Sequence, residues 1–169
     1  METATRSQLR HSTWPKAIAL GQGRTKPSKL SADYIVGLTD GEGSFTVYVR
    51  PPSKKEGSIH YRIQCRYYIK LREDDLPLLR EVQKFWSCGK IYFQREYRTN
   101  QRDNWRFEIF DWDNLENVVV PFFEEHPLQS KRIKDFRLFC KILDLALQKA
   151  HHTEKGIEEI LKLKSQMHA

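Results

Sequence analysis

At 169 residues, with 39% hydrophobic and 12% aromatic side chains, the chain is long enough for one domain with a core of its own. Its formal net charge of +7 favours an anionic partner, and no apolar run reaches the length of a bilayer span, which sets a membrane-spanning role aside. Cys65, Cys88 and Cys140 are odd in number and too widely spaced for a zinc knuckle or a redox pair, so a reducing, intracellular setting fits better than a disulfide framework.

Residues 1–29 carry Arg6, Arg10, Lys16, Arg24, Lys26 and Lys29 against the single acid Glu2, and so hold most of the net charge. They mix Ser, Thr, Gly and Pro without periodicity and read as a basic flexible arm, comparable in composition to an organellar transit peptide, a basic tail or a remnant of an upstream reading frame. With only about +2 left for residues 30–169, nucleic-acid binding has to rest on where the basic side chains point. That second segment forms the domain proper.

Ser31 or Asp33 caps a first helix that runs to about Asp40 and stops at Gly43. Gly37 and Gly41 stand at i, i+4 within it. Each costs about 1 kcal/mol relative to alanine, so something must approach the backbone too closely for a side chain. Glu42, at the negative end of the helix dipole, is disfavoured there unless a cation or reacting group lies nearby. These residues point to a metal-binding acid at the end of a tightly packed helix. Asp40, Glu42 and Ser44 also alternate like the start of a calcium loop, but the required glycine would fall at Phe45 and the terminal glutamate at Pro51.

The period then changes to two. Phe45, Val47 and Val49 alternate with Thr46, Tyr48 and Arg50 until Pro51-Pro52, and a polar loop follows over 53–58. In the next strand Tyr61, Ile63, Cys65, Tyr67 and Ile69 form the apolar phase, and Arg62, Gln64, Arg66, Tyr68 and Lys70 the opposite, acid-free one. Asp74 and Asp75 cap a helix through Leu76, Leu79, Val82, Gln83 and Trp86 that ends before Gly89. Ile91 and Phe93 alternate with Lys90, Tyr92 and Gln94; after a turn around Asn100 to Asp103, Trp105, Phe107 and Ile109 alternate with Asn104, Arg106 and Glu108. A short helix spans Leu115 to Phe123. Two more follow over about 130–167, one lined by Ile133, Phe136, Phe139, Ile142, Leu143 and Ala146, the other by Ile157, Ile160, Leu161 and Lys164. His126, His151 and His152 lack ligand-spaced partners and read as surface residues.

The order is αββαββα with extra C-terminal helices, an α+β fold whose four-stranded antiparallel sheet is backed by helices on its apolar phase. The other face stays open. It presents Thr46, Tyr48, Arg50, Arg62, Gln64, Arg66, Tyr68, Lys70, Lys90, Tyr92, Gln94, Asn104 and Arg106, side chains of the kinds that hydrogen-bond to base edges in a DNA major groove. Glu96 and Glu108 dilute that basic character.

The segment Ile35-Val36-Gly37-Leu38-Thr39-Asp40-Gly41-Glu42-Gly43 in this element order resembles the LAGLIDADG homing endonucleases with one motif per chain. The likeness extends through Leu71 to Asp75, Gly89 to Tyr92 and Pro127 to Arg132, and covers residues 30 to about 145. The resemblance implies a saddle-shaped sheet on double-stranded DNA and a homodimer whose motif helices meet through Ile35, Gly37, Leu38 and Gly41. It implies a catalytic Mg2+, or another divalent cation such as Mn2+, held by Glu42 and the Gly41 carbonyl, with Lys131 as the catalytic lysine or Arg132 in its place if the match shifts by one. Glu42 replaces the commoner aspartate. The family's polar position for organising catalytic water corresponds to Leu71, which leaves Lys70 or Arg72 to fill the role. The implied activity is intron-encoded, site-specific cleavage of a long pseudo-palindromic DNA site in a bacterial cytoplasm or organelle matrix. The alternative is a non-cleaving binder, an intron-splicing maturase acting on host intron RNA or a transcription regulator.

Overall fold

The computed structural model of the chain describes residues 28–97 and 102–168. Residues 1–27 of the expected arm, and part of the turn expected around Asn100, lie outside the described residues. The arm's expected boundary at residue 29 moves back. Ser28 Oγ donates to the Glu81 carbonyl at 3.0 Å and the Lys29 N–H to Glu81 Oε2 at 3.3 Å, so both residues are tied to the domain.

Helix α1 spans Ala32–Glu42, and Ser31 caps it by accepting from the Tyr34 N–H at 3.2 Å. It runs past the expected Asp40, which puts Gly41 and Glu42 in its last turn. Strand β1 (Gly43–Arg50) begins on the next residue. This abrupt change requires glycine: a Cβ on Gly43 would lie 2.8 Å from the Thr39 Cα and carbonyl oxygen. Strands β2 (Arg62–Arg72), β3 (Lys90–Gln94) and β4 (Asn104–Ile109) complete an antiparallel sheet in the order β1-β2-β4-β3.

The alternation read from sequence becomes the two faces of this sheet. Phe45, Val47, Ile63, Cys65, Tyr67, Ile69, Phe107 and Ile109 are buried against the helices. Leu71 joins them on the buried face. Phe45 sits at the centre of an aromatic cluster, its ring 5.1–5.5 Å from those of Tyr67, Phe123, Phe136 and Phe139. Burial of the three thiol sites raises the cysteines, Cys65 and Cys88 to about 12, and all three are free.

Helix α2 (Leu76–Trp86) buries Leu79, Val82 and Trp86 as its spacing requires. Asp75 occupies the N-cap without a side-chain cap bond, and Asp74 instead pairs with Arg102 at 2.8 Å. The helical stretch after β4 is longer than the expected Leu115 to Phe123: α3 (Trp112–Asn114), a π-helical turn (Leu115–Val119) and α4 (Val120–Glu125) follow one another without a gap. Helix α5 (Arg132–Leu147) then packs on β1, and α6 (Glu154–Ser165) packs on α5. In α6 the buried side is Gly156, Ile157 and Ile160; Leu161, expected inside, is 42% exposed because it falls off that stripe. No helix among the described residues is long and apolar enough to cross a membrane.

Candidate active site and nucleic-acid interface

The last turn of α1 is built from one side only. Ile35, Val36 and Thr39 face the protomer core, where Thr39 Oγ1 lies 2.8 Å from the Tyr67 hydroxyl. On the opposite side Gly37 and Gly41 are exposed, and a Cβ added to either meets nothing within 4 Å. Tyr34, 46% exposed, and the half-buried Leu38 flank them. Nothing among the described residues packs against these glycines. Ile35 corrects the expected interface set: it is fully buried inside the protomer, because it lies about 120–160° around the helix from the glycine stripe.

Glu42 ends the exposed stripe and is itself exposed. The residues that hold it in place lie 90 positions away. Asp40 accepts from the Gln129 N–H at 2.8 Å, from the Ser130 N–H at 3.2 Å and from Ser130 Oγ at 2.7 Å, stitching the helix end to the turn before α5. Arg132 then reaches back, Nε donating to the Asp40 carbonyl at 2.9 Å and Nη2 to the Gly41 carbonyl at 3.0 Å. A guanidinium on two terminal carbonyls offsets the negative end of the dipole, which is the cation that Glu42's location called for. Lys131, one residue earlier, is exposed at the start of α5. The two basic candidates thus differ in kind, one engaged with backbone and one projecting into solvent.

The donors at this turn fit a hard divalent cation. Glu42 supplies a carboxylate, and the Gly41 carbonyl retains a lone pair beyond the one taken by Arg132. Magnesium usually takes one or two carboxylates and fills its octahedron with water and substrate phosphate, whereas calcium demands more protein oxygens. Among the described residues no three His, Cys, Asp or Glu side chains gather into a complete cage.

All the even-numbered strand residues expected on the open face lie there together. The register pairs Tyr48 with Gln64, Thr46 with Arg66, Arg50 with Arg62, Lys70 with Arg106, Tyr92 with Arg106, and Gln94 with Asn104. Lys70 follows directly on Ile69, the partner of Gly43, so it stands at the α1 end of the sheet. Tyr48 and Tyr92 are 43% and 40% exposed, and Thr46 Oγ1 is buried without a partner. The centre of the face is less simple than an array of free arginines. Glu108, which sequence alone presents as a dilution of the basic surface, lies at the sheet floor between Arg66 and Arg106. Gln64, Tyr92, Gln94 and these three charged residues line a depression of about 250 Å³.

A further cluster escaped the sequence pattern. His60, at the foot of β2, stacks on His152 at 4.2 Å between ring centroids, and His151 stands edge-on to His152 at 4.4 Å. The expectation of surface residues fails for His151, which is buried with its Nδ1 unpartnered. Burial first, then the neighbouring His152 and His60, lowers its pKa below the ordinary histidine value. Parallel stacked imidazoles direct their lone pairs side by side instead of toward one point, so this arrangement does not converge on a metal. No spacing rule could have found it, since 91 residues separate His60 from His151.

The sequence profile of the LAGLIDADG endonuclease family matches residues 35–143. Probable intron-encoded endonuclease 2 of Neurospora crassa is 33% identical over 135 residues, which cover 79% of this chain and 28% of that protein. The homing endonuclease I-TnaI has a crystal structure 31% identical, with a TM-score of 0.69 over 83% of this chain and 89% of that one. The I-SmaMI LAGLIDADG homing endonuclease, solved bound to cleaved DNA, is 28% identical with a TM-score of 0.71, over 85% of this chain and 45% of that one. The chain spans between 22% and 38% of the length of three curated relatives that it matches.

Proposed function

The chain belongs to the LAGLIDADG endonuclease family, and on that premise we propose that it is a site-specific, intron-encoded homing endonuclease that cleaves double-stranded DNA as a homodimer with Mg2+ or Mn2+. The observation that carries this reading is the bare stripe of Gly37 and Gly41 running to an exposed Glu42. Two such helices, packed glycine to glycine about a twofold axis, place two carboxylates close together, one for each strand of a duplex. A long, pseudo-palindromic target follows from that symmetry. Such a protein works where DNA and reduced thiols coexist, in a bacterial cytoplasm or an organelle matrix.

The chain's residues divide the task. Asp40 and Arg132 hold the last turn of α1 against the turn before α5, so that the Glu42 carboxylate and the Gly41 carbonyl present oxygens in a constant relation. A divalent cation held by Glu42 and the Gly41 carbonyl would supply positive charge for the reacting phosphate and ease deprotonation of water. Lys131, exposed next to the clamp, adds positive charge where the leaving oxygen develops its own negative charge, and Lys70 brings a further cation to this end of the sheet. Along the open face Arg50, Arg62 and Lys70 supply phosphate contacts that set register, while Gln64, Gln94, Asn104 and the central arginines read bases.

The test separates cutting from binding. Glu42→Gln keeps shape and removes charge; it should lower metal-dependent cleavage of the joined host sequence by about a thousandfold or more while duplex affinity stays. Undiminished cutting by Glu42→Gln would remove the proposed active site.

A further inference from the structure

A carboxylate in the middle of a face that meets phosphate backbone is an electrostatic oddity unless it is kept from the DNA and employed otherwise. Glu108 is kept from it: the residue is 4% exposed, lying on the floor of the sheet in register with Tyr68 on β2 and Lys90 on β3. Its oxygens are divided between two strands. Oε1 is 2.7 Å from Arg66 Nη1 on β2, and Oε2 is 3.1 Å from Arg106 Nε on its own strand, close enough for charge pairing although that N–H is not aimed along the line to the oxygen.

Each guanidinium is also backed by an aromatic ring. Arg106 Cζ lies 3.7 Å from the centroid of Tyr68, and Arg66 Cζ lies 5.1 Å from that of Tyr48. Ion pair and ring together restrain the plane of each fork, and both arginines line the depression at the centre of the face. Bidentate reading of a guanine edge depends on that plane. Without the carboxylate, two like charges on neighbouring strands would repel and each long side chain would regain its rotamer freedom before DNA arrives.

We propose that Glu108 is a positioning residue for sequence recognition: by pairing with Arg66 and Arg106 it sets which bases those two arginines accept, without itself touching DNA. This inference rests on the sheet face being the DNA-binding surface. In the wider sequence the acid looks like a defect of a basic face; in the fold it is the anchor of the two reading groups.

The experiment is a selection of bound duplexes from a randomised double-stranded library by the full chain. Arg66→Ala and Arg106→Ala, selected in parallel, identify the base positions that each arginine reads. Glu108→Gln, nearly isosteric, should reduce base discrimination severalfold at those positions and leave the pattern elsewhere along the site. In the Arg66→Ala background, Glu108→Gln should produce no additional loss at the Arg66 position, since there is no fork left to hold. Glu108→Asp, which keeps the charge and shortens its reach, answers the same question if the glutamine variant does not fold. An unchanged pattern in a folded variant, or a uniform loss along the whole site, overturns the proposal and leaves the nuclease reading standing. If the unaltered chain selects no sequence at all, the DNA reading fails and this inference fails with it.

Discussion

The end of α1 and the centre of the open sheet face both carry charged side chains, yet they are finished to different degrees. At the sheet centre Glu108 pairs with Arg66 and Arg106 within the protomer, and tyrosine rings back both guanidiniums. At the helix end the scaffold is complete but the functional edge is not: Asp40 and Arg132 lock the turn, while Gly37, Gly41 and Glu42 face outward. On the proposed function, the reading groups are organised before any partner arrives, and the cutting group waits for one. The physical reason is that a fork misplaced in advance loses specificity, whereas an acid held near a second acid in a finished pocket would repel it before the target is bound.

The largest effect should come from filling the bare stripe. Gly37→Leu adds bulk where the protomer has open space and gains up to about 1 kcal/mol of helix propensity, so the protomer should melt no lower than the parent. Sedimentation should then report a monomer, and cleavage of both strands should fall about a hundredfold or more with the lost twofold. A dimer that persists and cuts would place the subunit contact elsewhere and break the comparison at its root.

A middle-sized effect should follow Asp40→Ala, which removes the acceptor for three donors of Gln129 and Ser130. Denaturant unfolding should show a loss of about 2 kcal/mol. Because this changes the scaffold and not the reading face, base preference in the library selection should survive while the cleavage rate drops. Equal damage to both would show that the two regions are not independently built.

The smallest effect concerns acid. His151 is held below its ordinary value of 6.5, chiefly by burial, so the unfolded chain binds its proton more readily than the folded one. Stability from this group is present above that pH and is lost as pH falls below it. A melting-temperature profile of the parent should therefore slope downward below about pH 6.5, and His151→Gln should flatten part of that slope. The histidines lie on neither region compared, so target preference should be indifferent to the change.

Much of this molecule was legible in one dimension, and the reasons are local. The period-two runs from Phe45 to Arg50 and from Tyr61 to Lys70 assign each side chain to a face wherever the strand pairs, and the sheet obeys them. The glycine spacing pointed to a close approach, and the structure shows open space beside both glycines. Ile35 was misassigned because motif position alone does not say which side of a helix its own core will claim. Leu161 was misassigned because two adjacent helical stripes share one periodicity and packing against α5 chooses between them.

What the chain's order of residues determined by itself was the set of elements, the two faces of the sheet and the motif that identifies the family, since each follows from backbone geometry over a few neighbours. Only the tertiary structure decided that Arg132 and not Lys131 caps α1, that Glu108 holds two arginines, and that His60 meets His151 and His152. Apart from Arg106 with Glu108, neighbours on one strand, those pairings join residues on different strands or tens of positions apart. They depend on strand register and on the path of the turns, quantities that no spacing along the chain encodes.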